Sequence, residues 1–298
     1  MSFDINHIPG ELIAFKTSDG YELHGFLIKG KNKKKKSGKV LISIHGMTGN
    51  FYSWPGSRLM AKIFLQNGYD FFKINTRGHD VVSKYYRNIK GKSESYLGGT
   101  AYEKFEDSWK DIAGAVSEMK EKGYKKIILF GHSTGCQKAA YYAYKTNSKD
   151  ISAVVLMAPA DGFNTNKKEL GRKFYPTLRL ARRLAQRNQK LIPLEDGFNS
   201  MSPKRFLSIA DLKSVEARLF NYEDNKMKEF SKIKVPICAV FGSNEEYKTK
   251  PVRIYLKQLA KVTRSKKFVA VEIKGADHAF KNHEAETAKV VVKWLDKL

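Results

Sequence analysis

Residues 126–137 read Lys126-Ile127-Ile128-Leu129-Phe130-Gly131-His132-Ser133-Thr134-Gly135-Cys136-Gln137. Four consecutive apolar residues, two of them β-branched, run straight into Gly-x-Ser-x-Gly, and Thr134 to Lys145 continues with helical spacing. The pattern is strand, sharp turn, helix. A serine on such a turn sits in a strained backbone conformation, and the flanking glycines let strand and helix pass closely. The turn lifts the hydroxyl above the sheet, and the N-terminus of the following helix favours negative charge developing beside it. Ser133 is therefore the candidate nucleophile.

Outward from this stretch, strand-like and helix-like segments alternate. Glu11–Lys16 and Tyr21–Lys29 read as two opening antiparallel strands joined at Ser18-Asp19-Gly20, a turn signal. Val40–Ile44, Tyr69–Asn75, Ala153–Met157, Val235–Phe241 and Phe268–Ile273 complete eight strands with Lys126–Phe130. Helical spacing marks Ser57–Asn67, Glu103–Lys122 (Phe105, Trp109, Ile112, Val116 and Met119 on one side, Gly123 closing it), Val252–Ala260 and Ala285–Leu298. The expected fold class is α/β: a mostly parallel eight-stranded sheet with helices on both faces. Asp161 to about Phe230 breaks the alternation, being helix-rich, basic and punctuated by Pro176, Pro193, Gly197 and Pro203. It reads as a helical cap (161–230) inserted after strand six into a core formed by 1–160 and 231–298.

Two further loops bear on chemistry. His45-Gly46-Met47-Thr48-Gly49 closes the third strand, and in a strand–elbow–helix architecture this loop supplies one oxyanion-hole amide while the residue after the nucleophile supplies the other. Met47 and Thr134 N–H are the expected donors. Gly275-Ala276-Asp277-His278-Ala279-Phe280 follows the last strand, where a histidine reaches the carboxyl ends of the others, so His278 is the expected base. His79 and His132 read as packing or hydrogen-bonding neighbours of the site, and His283 as a surface residue. For the acid that orients the imidazole, Phe241-Gly242-Ser243-Asn244-Glu245-Glu246-Tyr247 offers Glu245, with Glu246 and Asp161 as alternatives. The chain order is then Ser133, Glu245, His278, nucleophile before acid before base.

These strings resemble the α/β-hydrolase superfamily over nearly the whole chain, insertion included. Gly131–Gln137, Ser202-Pro203-Lys204-Arg205-Phe206-Leu207-Ser208 and Glu245-Glu246-Tyr247 are locally similar to fusarinine-type siderophore-ester hydrolases, with Glu245 standing where that group has Asp. Thr76-Arg77-Gly78-His79 looks more like general esterases and monoacylglycerol-lipase-like enzymes. The resemblance implies the α/β-hydrolase fold and hydrolysis of carboxylic esters through an acyl-enzyme. A membrane-associated monoacylglycerol lipase or lysophospholipase, and a non-catalytic binding protein on the same fold, stay open as alternatives.

Composition bounds the partners. Lys and Arg total 55 against 30 Asp and Glu, a formal charge of +25, which favours anionic partners. The charge concentrates in Lys29–Lys39 and Lys167–Lys190. The second stretch places Leu170, Phe174, Leu178, Ala181 and Ala185 at helical spacing, with Arg172, Lys173, Arg179, Arg182, Arg183, Arg187 and Lys190 among them. The apolar set predicts a helix packed on the core. The basic set suits an anionic ester substrate or peripheral contact with an anionic membrane. No nucleic-acid-binding signature accompanies either stretch, so no nucleic acid is expected. There is no His-Glu-x-x-His, paired Cys-x-x-Cys or Gly-x-Gly-x-x-Gly, so neither metal nor cofactor is expected. Two cysteines in apolar contexts, no apolar run of membrane-spanning length and no signal-peptide pattern at the start point to a cytoplasmic protein.

Overall fold

The computed structural model describes residues 7–30, 38–53, 56–187 and 201–298. The lysine run Lys33–Lys36, and Lys190, Pro193 and Gly197, lie outside them.

The strands are β1 (Glu11–Lys16), β2 (Glu22–Ile28), β3 (Lys39–Ile44), β4 (Asp70–Ile74), β5 (Ser83–Ile89), β6 (Lys92–Gly98), β7 (Lys126–His132), β8 (Ala153–Met157), β9 (Ile237–Gly242) and β10 (Phe268–Ile273). Eight form one sheet in the order β1-β2-β4-β3-β7-β8-β9-β10. Only β2 runs against its neighbours; from β4 to β10 every pairing is parallel. Strands buried on both faces need unbroken apolar sequence, and β7, β8 and β9 have it. The helices are α1 (Gly56–Gln66), α2 (Ser108–Glu121), α3 (Thr134–Lys145), α4 (Gly162–Leu170), α5 (Phe174–Ala185), α6 (Pro203–Ala210), α7 (Val215–Leu219), α8 (Val252–Val262) and α9 (Glu284–Leu295). One core layer gathers Phe64, Phe71, Phe130, Val155 and Val291 under α1 and α9. The opposite layer gathers Ile42, Leu129, Ile112, Ala139 and Leu259 under α2, α3 and α8.

From β3 the chain steps to β4 on one side, and β7 lies on the other side of β3. The connections leaving β3 and β7 therefore diverge, opening a crevice at the carboxyl ends of the two central strands, where open α/β sheets bind ligands.

Two expectations needed correction. The sequence marks no strand between 76 and 102, yet β5 and β6 form a separate hairpin. Its two-residue turn, Lys90 (φ 51°) and Gly91 (φ 79°), has the positive φ at both positions that suits a tight hairpin. Helix α2 begins at Ser108 rather than Glu103, because Lys104 is extended (φ −94°, ψ 104°) and a 3-10 turn, Phe105–Asp107, precedes it. Gly123 follows α2 with φ 87°, the left-handed stop that its position suggested.

Between β8 and β9 lie α4 to α7. Phe174, Leu178 and Ala181 of α5 pack with Met201, Phe206 and Ile209 in a small core of their own, so the apolar face that the spacing marks is buried, but within the insertion rather than on the core of the sheet. Arg172, Arg179 and Arg183 are exposed, and Arg182 pairs with Asp211 at 2.8 Å. Among the described residues, no helix is long and apolar enough to cross a membrane.

Candidate active site

Ser133 stands between β7 and α3 with φ 55° and ψ −127°, a conformation costly for any residue with a side chain. The elements around it leave no alternative. Its N–H donates to the Met157 carbonyl at the end of β8, and its carbonyl accepts from Cys136 N–H, both at 2.9 Å. A Cβ on Gly135 would fall 2.2 Å from the Ile44 carbonyl oxygen, and one on Gly131 would fall 2.5 Å from the Gly135 oxygen. The helix thus starts hard against β3, which only glycine allows.

The loop after β3 closes over the serine. A Cβ on Gly46 would lie 2.8 Å from Ser133 Cβ and 3.3 Å from its Oγ, so the backbone of this loop touches the hydroxyl. His45 braces it from beneath: Thr76 N–H donates to Nε2 at 3.1 Å, which puts the proton on Nδ1, from where it is donated to the Gly46 carbonyl at 2.8 Å. Burial, reinforced by Lys138, holds this imidazole's pKa well below its usual value, so it stays neutral. Thr48, at φ 55°, donates its N–H to Thr100 Oγ1 at 2.7 Å and sets the turn. Met47 and Thr134 flank Ser133 on the wall of the same cavity.

His278 reaches this cavity from the loop between β10 and α9. Its Nδ1 lies 2.7 Å from Glu245 Oε1 and 2.8 Å from Oε2, and the two side chains are 13% and 4% exposed. With Nδ1–H donated to Glu245, Nε2 keeps a lone pair. The backbone is held as tightly: His278 N–H donates to Glu246 Oε2 at 2.7 Å, and His132 Nε2–H donates to the His278 carbonyl at 2.9 Å. Burial, with His278 close by, takes His132 down to about 3 and keeps it a neutral donor. The Tyr247 ring stands edge-on to the imidazole, centroids 4.7 Å apart.

The structure therefore brings Ser133, His278, Glu245, Met47 and Thr134 to one place. Of the alternative acids, Glu246 holds the His278 backbone, while Asp161 caps α4 through Asn164 N–H (3.0 Å) and binds Asn164 Nδ2 (2.9 Å) and Tyr222 N–H (3.2 Å). His79 is half-buried outside the cavity wall, against Thr76 and Tyr85. His283 pairs with Glu286 at 3.2 Å.

Sequence reasoning missed a buried ionic chain beside the site. Arg205 of α6 binds Glu216 of α7, Glu216 also accepts from Ser208 Oγ at 2.6 Å, Arg205 lies 3.7 Å from Glu103, and Glu103 pairs with Lys138 of α3 at 2.6 Å. Lys138 donates onward to Thr76 Oγ1 at 2.9 Å. In the sequence Arg205 stands out only within a string of local similarity; Lys138, one helical turn after Thr134, carries no signal because an isolated lysine in a helix reads as solvated. Arg77 is likewise buried, donating its backbone N–H and Nε–H to Asp111 (2.8 and 2.7 Å) and Nη1–H to Asp19 (2.9 Å), which pins the loop after β4.

The cavity encloses about 400 Å³, with Gly162, Thr165, Met201 and Ile209 of the 161–230 insertion on its outer wall. No group of three or more potential metal ligands exists among the described residues.

Comparison with known proteins agrees with this fold. Residues 39–245 match the family model described as alpha/beta hydrolase fold. No curated protein sequence matches the chain. The structure is similar to Est1E from Butyrivibrio proteoclasticus with ferulic acid bound (TM-score 0.63, 18% identity, 95% of this chain and 98% of that one). It is similar to a soluble variant of monoglyceride lipase from Saccharomyces cerevisiae in complex with a substrate analog (0.67, 17%, 99% and 97%). It is also similar to monoacylglycerol lipase from Paleococcus ferrophilus (0.62, 19%, 92% and 98%).

Proposed function

The chain belongs to the α/β-hydrolase fold family, and on that premise we propose that it is a serine hydrolase that cleaves carboxylic esters through an acyl-enzyme. The observation that carries this reading is the Glu245–His278 pair, its imidazole Nδ1 fully engaged, in the same cavity as a serine held at φ 55°.

In the proposed reaction His278 Nε2 takes the Ser133 proton as Oγ bonds to the ester carbonyl carbon. The carbonyl electrons move to oxygen, and the oxyanion is met by the Met47 and Thr134 amides. Glu245 stabilises the imidazolium without taking its proton. Collapse breaks the bond to the alcohol, which leaves with the proton from His278. Water then attacks the acyl-enzyme with His278 again as base, and the acid departs. We read 161–230 as a cap over a core of 1–160 and 231–298, because residues of the insertion form the cavity's outer wall. Cys136 and Cys238 are free thiols inside the core, which fits the cytoplasmic location inferred from the sequence. The esterase and lipase neighbours support ester chemistry as the class.

Hydrolysis of p-nitrophenyl acetate, butyrate and octanoate by the wild type and by Ser133→Ala tests this. Turnover that vanishes in the variant is the expected result. Turnover that survives it would remove Ser133 from the mechanism.

A further inference from the structure

Lys73 lies on β4 opposite Ser43 of β3, and each is 6% exposed. Both line the cavity that holds Ser133 and His278, together with Asn50, Phe51 and Ser53 of the loop after β3. Lys73 is the single Lys or Arg on that wall among the described residues; the arginines of α5 are not part of it. Its ammonium donates to the Ser53 carbonyl at 3.3 Å and has no carboxylate partner among the described residues. An ammonium has three donors, and one long bond to a carbonyl leaves it far from satisfied. Burial and the nearby Arg58 push its pKa down to about 8, so at neutral pH it still carries most of its charge.

A buried cation in such a position needs a reason. Its neighbours on β4 are Phe71, Phe72 and Ile74, and an apolar residue there would avoid the desolvation cost of a charge. The cavity is where a counter-charge can arrive.

Resting on the esterase reading above, the geometry points to Lys73 as the recognition point for an anionic group on the substrate: the enzyme acts on esters that carry a carboxylate at a distance from the scissile bond. The sequence placed selection for anions on the basic face of α5; the structure places the buried, cavity-lining cation on β4 instead. A carboxylate there would accept two charge-assisted hydrogen bonds from the ammonium.

The test uses two pairs of substrates. In the first, p-nitrophenyl esters of equal chain length end in methyl or in carboxylate, so the anion sits on the acyl side. In the second, acetate esters of n-alcohols are compared with those of the corresponding hydroxy acids, so it sits on the alcohol side. The proposal expects kcat/KM at least about tenfold higher for the anionic member of one pair, carried mainly by KM. That ratio falls by about tenfold or more in Lys73→Met and is largely kept in Lys73→Arg. The pair that shows it tells which side of the ester faces β4. Equal ratios in wild type and Lys73→Met, or no preference in either pair, overturn the proposal. Calorimetric binding of monomethyl adipate against dimethyl adipate, in Ser133→Ala with and without Lys73→Met, separates this claim from the esterase reading. If no ester is turned over, tighter binding of the monoanion that is lost with Lys73 still upholds the subsite, and equal binding removes it.

Discussion

At the scale of single residues, strain and close approach are concentrated at the serine. Its left-handed backbone costs about 1–3 kcal/mol in any residue with a Cβ, and its neighbours impose it. Replacing the side chain alone does not relieve this, whereas glycine does. Ser133→Gly is therefore predicted to be more stable than Ser133→Ala by about 1 kcal/mol in urea unfolding, with both inactive; equal stabilities would mean that the strain is absent. Gly135→Ala drives a methyl into the Ile44 carbonyl, 2.2 Å away, and is predicted to destabilise by about 1–3 kcal/mol or more while lowering activity. Glu245→Gln keeps the shape of the acid but forces the wrong imidazole tautomer. Its kcat is predicted to fall by about 1,000-fold or more with KM little changed, and a near-wild-type kcat would move the acid's role elsewhere.

Among elements, what could be read in advance depended on whether a residue's environment left a periodic trace. Strands β7 and β8 and helix α3 were legible because burial on both faces demands unbroken apolar runs and the elbow demands glycines. The hairpin was not: β6 is exposed over its first four residues, so no alternation marks it, and Lys90-Gly91 sits in a lysine-rich stretch where it does not stand out. Polar residues that are buried for a partner's sake leave no trace at all. Lys73 within Asp70-Phe71-Phe72-Lys73-Ile74 looks like a strand's solvent-facing position, and Arg205 looks like a cap helix's outer face. Both are buried. The Arg205 chain ties α6 and α7 to α3 and the loop before α2 through charges that pair with one another. Breaking it at one point strands the rest, so Arg205→Leu is predicted to cost about 3–5 kcal/mol and to increase amide exchange in α6 and α7 before the sheet responds. A uniform loss across the sheet would show that these helices are not a separate unit.

For the whole molecule, buried imidazoles set the response to acid. His132 and His45 are neutral in the fold, with pKa values below the usual 6.5. Below about pH 6.5 the unfolded chain binds protons that the folded chain refuses, so their contribution to stability is complete above that pH and is lost as pH falls towards about 3 for His132. His278 and Lys138 beside them lower these values, and Asp277 and Asp80 raise them only in part. Asp111 and Asp161, both pushed up by burial, work in the opposite sense. Unfolding free energy is predicted to drop between pH 7 and 4, with a shallower slope in His132→Gln; an equal slope in the variant would mean that His132 titrates normally. The formal charge of +25 adds self-repulsion that salt screens.

In the proposed mechanism Ser133, activated by His278 and Glu245, carries the acyl group. Rapid mixing with excess p-nitrophenyl butyrate, followed by acid quench and peptide mass spectrometry, tests it directly. A burst of one p-nitrophenolate per chain and a butyryl group on the peptide containing Ser133 are expected, with both lost in Ser133→Ala. Steady turnover with no acylated peptide, or an acyl group on another residue, would contradict it.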